Sequence, residues 1–431
     1  MSPEAIGIIG IGVVVLLMLA RMWIGLSMAM VGFLGLAYLR GMDGSLGVLG
    51  TVPFKYVAFY PISSIPLFVL MAVVIANTGI GSSLFGAAHA WLGQLRGGLA
   101  MASVLACAGL AAIMGDSVAE VVTMSKVAVP EMKRYKYDTR LASGTVAAGG
   151  TLGILIPPSL GFIMYGILTE QSVGALFMAG ILPGLLLTFL FIVAIRIIVS
   201  RNPEAGPPGP KTSFKEKILS LKGTWHTMLL FVLIIGGIYA GIFTPTEAGA
   251  VGAFGAILIS AASRRLTLKS LGDSVVEATK VSAMIVLLII GAFILMKFLA
   301  VSKFPFALAG FINELALPRY GVFAAIMVLY VLLGMFLDIF AAVVLTIPVI
   351  FPVVTGLGFD PIWFGVIIVL ILEMGLITPP VGMNVFALAG VTGTPLDVIF
   401  RGVLPFVIAM IVCVMLLLFF PQIALFIPSR M

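Results

Sequence analysis

Five long apolar runs limit what this chain can fold into: Ile6–Ala20, Ile65–Ala76, Met228–Ile242, Val281–Met296 and Val403–Phe420. About 20 predominantly apolar residues cross the hydrocarbon of a bilayer, and several of these runs reach that length with their flanks. Only 10% of the 431 residues are charged and 61% are hydrophobic, whereas a soluble domain carries roughly 25% charged residues. The fold class is therefore an all-α polytopic membrane protein. The first run does not read as a removable leader, because it lacks a basic start and Arg21 leads straight into another apolar stretch. The net charge of +7 comes from basic residues gathered in loops, the positive-inside pattern. It reports topology and gives no reason to expect a nucleic-acid partner. Cys107 and Cys413 lie in apolar runs without metal-ligand or disulfide spacing and read as small core residues.

The chain repeats itself. Asp116 precedes Pro157 by 41 residues, and Asp338 precedes Pro379 by 41, an offset of 338 − 116 = 222. The same offset carries Pro130 onto Pro352, Gly153 onto Gly375, Pro157-Pro158 onto Pro379-Pro380, Gly180 onto Gly402 and Pro183 onto Pro405. Loop charges show that the halves are inverted. Lys133, Arg134, Lys136 and Arg140 face a window, 355–362, holding only Asp360. Arg264, Arg265 and Lys269 correspond to a loop at 42–47 with only Asp43, and six Lys/Arg in 196–222 correspond to Arg430. Arg40, Lys55 and Arg319 fall on the outer side against the trend. Equivalent loops thus lie on opposite sides of the membrane.

Each half reads alike: two spans (5–20 and 25–40; 227–243 and 247–262), then a third (56–78; 280–300). An interrupted interfacial segment follows (79–96; 301–319). Next come a re-entrant hairpin (97–132; 320–353), a Pro-Pro-broken span (141–168; 363–390) and a last span (173–199; 397–420). The sum is ten spans and two hairpins, in repeats 1–200 and 226–431, with both termini outside and a cytoplasmic linker at 201–225. The Pro and Gly content of 201–222 leaves no helix there.

Two prolines in mid-span free carbonyls that must be satisfied inside the bilayer, and discontinuous helices use such carbonyls to hold cations. The breaks run Gly153 to Ser159 and Gly375 to Gly382. The hairpin tips carry Gly115-Asp116-Ser117 with Glu120, and Gly334 to Asp338. Intramembrane carboxylates are functional by default, and clustered oxygens suit a hard cation such as Na⁺. Asp116 and Asp338 are read either as cation ligands or as helix N-caps. Glu373 is either a proton site or a cavity-lining residue.

The runs Leu152 to Ser159, Gly241 to Glu247, Gly334 to Asp338, Gly358 to Pro361 and Glu373 to Asn384 resemble the large membrane subunit of TRAP (tripartite ATP-independent periplasmic) transporters, the DctM-like permeases. The resemblance covers nearly all of the chain except the linker. It implies an elevator-type, sodium-coupled importer in the bacterial inner membrane, working with a small membrane subunit and a periplasmic binding protein that delivers an organic acid. It places sodium at Gly115, Asp116, Ser117, Gly153 and Pro157, and at Gly334, Asp338, Gly375, Thr378 and Pro379. Ser159, Gly382 and Asn384 are the corresponding candidates for substrate contact. The family's first tip usually reads Ser-Gly-Ser, whereas here it is Met114-Gly115-Asp116, which trades a hydroxyl for a carboxylate.

A stand-alone ion-coupled anion carrier on the same scaffold is the alternative. An intramembrane aspartyl protease would need Gly-x-Gly-Asp, but Gly356-Leu357-Gly358 is followed by Phe359. His89 and His226 stand alone, so no enzyme is expected.

Overall fold

The computed structural model describes residues 1–79, 81–305, 307–308, 310 and 318–431. Among these, regular structure is helical throughout. The first half contains α1 (Pro3–Leu19), α2 (Ile24–Arg40), α3 (Met42–Val57), α4 (Ser64–Thr78) and α5 (Gly81–Leu92). It continues with the hairpin arms α6 (Gly98–Met114) and α7 (Ser117–Arg134), the broken span α8 (Thr139–Gly149), α9 (Leu152–Leu155) and α10 (Leu160–Thr169), and α11 (Val173–Arg201). After the linker helix α12 (Phe214–Leu221) comes α13 (Trp225–Phe231), which runs through a π turn to Tyr239. Then follow α14 (Pro245–Ala262), α15 (Leu268–Val301), hairpin arms α16 (Arg319–Phe336) and α17 (Ile339–Gly356), the broken span α18 (Pro361–Gly375) and α19 (Met383–Thr392), and α20 (Leu396–Phe419).

Among the described residues, seven helices can cross a membrane by length and composition, or up to nine if each bent pair counts once, and α16 and α17 are among the seven. Outside the hairpins, five of these helices and the two bent pairs pass that test, and α1, α2, α18 and α19 are shorter apolar helices. Of these α1 and α2 have 17 residues each. Three expectations need correction. Residues 42–57 form a helix, not a loop, and a 3-10 turn at Tyr60–Ser63 separates it from α4. Their counterparts in the second half form one uninterrupted helix, α15, of 34 residues. The difference is Pro61, which occupies the turn where the first half breaks. The linker does hold a helix: its prolines end at Pro210, and a Ser213/Glu216 capping box starts α12. The interfacial segment expected at 301–319 lies mostly outside the described residues.

The helices fall into two packing groups. One joins α1–α4 to α13–α15, and the other joins α6–α11 to α16–α20. Both draw on each half, so neither repeat forms a body by itself. Hydrocarbon tails give apolar side chains no reason to leave lipid, so helices in a bilayer associate by close packing, which small residues permit. In the first group a Cβ at Gly25 would lie 2.7 Å from the Leu287 carbonyl, and one at Gly32 would lie 2.8 Å from the Leu295 nitrogen. In the second group Gly144 meets the Gly402 backbone, and Gly402 meets the Arg140 carbonyl. Gly402→Val should therefore push α8 and α20 apart, at a cost of about 3 kcal/mol, the upper end for overpacking. Thermal unfolding of the purified protein checks this, and a midpoint equal to the parent's would contradict it.

Candidate functional site

Each hairpin tip is built by an aspartate. The Asp116 side chain accepts from the Ala119 N–H at 2.7 Å, starting α7, and Asp338 accepts from the Ala341 N–H at 2.9 Å, starting α17. The N-cap reading is thus realised at both tips. Each bond uses Oδ1, and capping is compatible with further contacts at the remaining oxygen. Gly115 provides the left-handed turn, with φ of +62°, between α6 and Asp116. In the second hairpin Gly334 lies inside the last turn of α16, and the turn itself falls at Leu337–Asp338.

Glycines at the breaks let tip and break backbones touch. A Cβ on Gly153 would stand 2.7 Å from Glu120 Oε2 and 3.0 Å from the Asp116 carbonyl. A Cβ on Gly375 would stand 2.5 Å from the Gly334 carbonyl carbon, and one on Gly115 would stand 2.9 Å from the Pro158 carbonyl oxygen. The Gly382 N–H donates to the Met335 carbonyl at 3.3 Å. Pro157-Pro158 and Pro379-Pro380 are both joined by cis bonds. The second arm of each hairpin then packs on the far part of the other repeat's broken span, α7 on α19 and α17 on α10. The two clusters therefore adjoin, and Asp116 lies within electrostatic reach of Asp338.

The structure adds a link that the sequence left open. The Ser117 hydroxyl donates to the Glu373 carboxylate, 2.7 Å from Oε1 and 2.6 Å from Oε2, in a buried contact between repeats. Ser117 is thus engaged by a carboxylate, and Glu373 faces the first tip. Glu120 is wholly buried and neither of its oxygens has a hydrogen-bond partner. Its surroundings are the weak-donor thiol of Cys107 and the carboxylates of Glu373 and Asp116. A buried carboxylate with no donor beside it but a weak thiol is costly, so this corner of the site fits a bound cation. Asn384 is likewise buried with both side-chain polar atoms unpartnered. Ser159 is buried and caps α10 by accepting from the Phe162 N–H at 3.2 Å. Thr378 Oγ1 donates to the Met374 carbonyl at 2.6 Å. The two breaks differ in access. Residues 151–160 are buried throughout, whereas Thr378 is half-buried and Pro379 and Pro380 are exposed.

Residues 11–423 match the family described as tripartite ATP-independent periplasmic transporter, DctM component. The chain belongs to that family. It is 35% identical over 400 residues to the C4-dicarboxylate TRAP transporter large permease protein DctM of Pseudomonas aeruginosa, covering 90% of this chain and 93% of that one. It is 32% identical to the protein of the same name from Rhodobacter capsulatus, covering 97% and 98%. It is 30% identical to the sialic acid TRAP transporter large permease protein SiaM of Vibrio cholerae, covering 86% of each. The crystal structure of the Alcanivorax borkumensis YdaH transporter is similar in fold, with a TM-score of 0.63, 15% identity and coverage of 91% and 89%. This TRAP large permease is a multi-pass membrane protein.

Proposed function

We propose that this TRAP permease imports an organic acid by sodium-coupled, elevator-type movement of the hairpin-bearing helix group against the other group. The observation that carries the reading is Glu120, a buried carboxylate with only the weak Cys107 thiol beside it as donor, at a tip already rich in carbonyl oxygens. Residues Gly115, Asp116, Ser117, Gly153 and Pro157, with Glu120 beside them as a further carboxylate ligand, would hold one Na⁺, and Gly334, Asp338, Gly375, Thr378 and Pro379 a second. Ser159, Gly382 and Asn384 would meet the substrate between them. The relatives' names specify C4-dicarboxylates, sialic acid and, for the Escherichia coli protein YiaN, 2,3-diketo-L-gulonate. A carboxylate is common to those three names and is the class proposed here; another relative, from Oleidesulfovibrio alaskensis, is named for the sulfonate isethionate. A small membrane subunit and a periplasmic binding protein would complete the transporter in the bacterial inner membrane. Division into two packing groups, each containing parts of both repeats, supports relative movement. Uptake into proteoliposomes holding all three components tests the reading: sodium outside drives accumulation, and equal accumulation with potassium on both sides would refute it.

Asp116 gives a sharper test at the first tip. Serine is as good an N-cap as aspartate, so Asp116→Ser keeps the Ala119 contact and the start of α7. Removing the charge lowers sodium affinity, read as a rightward shift of the sodium activation curve. Superimposable curves would count against Asp116 as a ligand. Asp338→Ser should shift uptake further, because that aspartate agrees with the family motif.

A further inference from the structure

We infer that the linker helix α12 is an anchor for an anionic phospholipid surface. Phe214, Ile218 and Leu221 recur at i, i+4 and i+7, which places them on one face, and they are 71%, 50% and 45% exposed. No residue of α12 is buried by the rest of the protein. Lys215 and Lys222, seven apart, flank one side of this face, and Lys217 flanks the other. An apolar stripe edged by lysines is the pattern of a helix lying in a headgroup layer, its stems buried and its ammonium groups on lipid phosphates. Glu216, the one acidic residue of α12, is held at the helix start, where its Oε2 accepts from the Ser213 N–H at 2.7 Å.

Position fixes the occupant as a bilayer surface rather than a soluble partner. Three residues separate the end of α12 from the start of the span α13, and the chain bends by 50° between them. Exposed Trp225 opens that span, and half-exposed Trp91 donates its indole N–H to the Lys217 carbonyl at 3.1 Å. Two tryptophans at this level mark the membrane–water boundary. Upstream, the linker is tied to the base of the first hairpin: the Gly97 N–H donates to the Gly206 carbonyl and the Gly209 N–H to the Gly93 carbonyl, both at 2.8 Å. The linker therefore joins the two helix groups with one end bound to the hairpin group and the other end seated in lipid. This inference holds whichever ion drives transport.

The test uses the full chain carrying Ile218→Cys labelled with bimane, since Cys107 and Cys413 are both buried. The protein is placed in phosphatidylcholine vesicles with or without phosphatidylglycerol, each containing lipid bearing a shallow nitroxide quencher. Phosphatidylglycerol should increase quenching, and high salt should remove the increase by screening. The variant K215Q/K217Q/K222Q should lose the increase while unfolding at the parent's temperature, and K215R/K217R/K222R should keep it. Equal quenching in both vesicle types, or a bimane that stays in water in both, would overturn the proposal. So would a bimane buried only when a small membrane subunit is added, since the face would then be a protein interface.

Discussion

Gly375→Ala is expected to abolish uptake while leaving a folded, membrane-inserted protein. A β-carbon there would lie 2.5 Å from the carbonyl carbon and 2.6 Å from the Cα of Gly334, and 2.9 Å from the Met335 nitrogen. All three are backbone atoms of the second hairpin, so no side chain can rotate away to make room. The tip and the break must separate instead. That movement opens the group of oxygens in which ion and substrate are proposed to sit, and a misplacement of about 1 Å can cost on the order of 100-fold in rate. The rest of α18 is a well-packed apolar helix, which is why the fold should survive. Gly390→Ala provides the control. Nothing lies within 4 Å of a Cβ at Gly390 in α19, and alanine favours helix by about 1 kcal/mol over glycine. Uptake by the assembled transporter, scaled to protein recovered in the membrane, should fall to background for Gly375→Ala and stay at parent level for Gly390→Ala. Parent-level uptake by Gly375→Ala would show that the contact is dispensable.

The same contact shows where sequence reasoning succeeds and where it stops. Gly153 and Gly375 are visible in the sequence because glycine and proline at a fixed offset leave few alternatives in so apolar a chain. The tips are visible because an aspartate in a hydrophobic run needs a reason. What these residues touch is not encoded locally. Ser117 and Glu373 are 256 residues apart, and only packing of the first hairpin against the second broken span brings them together. A useful signal was available: Glu373 lies two residues before Gly375, whose first-half equivalent, Gly153, packs on the tip. Helix α3 is hard to read from the sequence because three glycines and Pro53 punctuate its apolar residues. In the linker the prolines at 203–210 argue against a helix only up to Pro210, and the Ser213/Glu216 capping box beyond them is the local signal for α12. Of the two readings of Asp116, the cap is realised through Oδ1, and the ligand reading rests on the sodium titration of Asp116→Ser.

Glu120→Gln should make the protein more stable in the absence of sodium and remove the stabilisation that sodium confers. The side chain is wholly buried, the weak Cys107 thiol is the one donor beside it among the described residues, and other carboxylates lie nearby. A charge at the centre of a membrane helix costs about 2.5–3.5 kcal/mol on insertion scales, and the neighbouring acids give nothing back. Natural proteins retain such a cost at functional sites, where stability and activity trade against each other. Glutamine keeps the shape and removes the charge, so the apo protein should unfold at a higher temperature than the parent. The parent should recover its deficit by binding: a ligand at 100 times its dissociation constant adds about 2.7 kcal/mol to the folded state. Thermal unfolding across a sodium series, with potassium holding ionic strength constant, separates these effects. The parent's midpoint should climb with sodium and the variant's should start higher and stay flat. A variant that begins lower than the parent would make Glu120 a structural residue with a partner. One that climbs in parallel with the parent would place the coupled ion elsewhere. Uptake distinguishes the proposed role further, because a protein stabilised by losing its ion ligand should also lose sodium-driven accumulation.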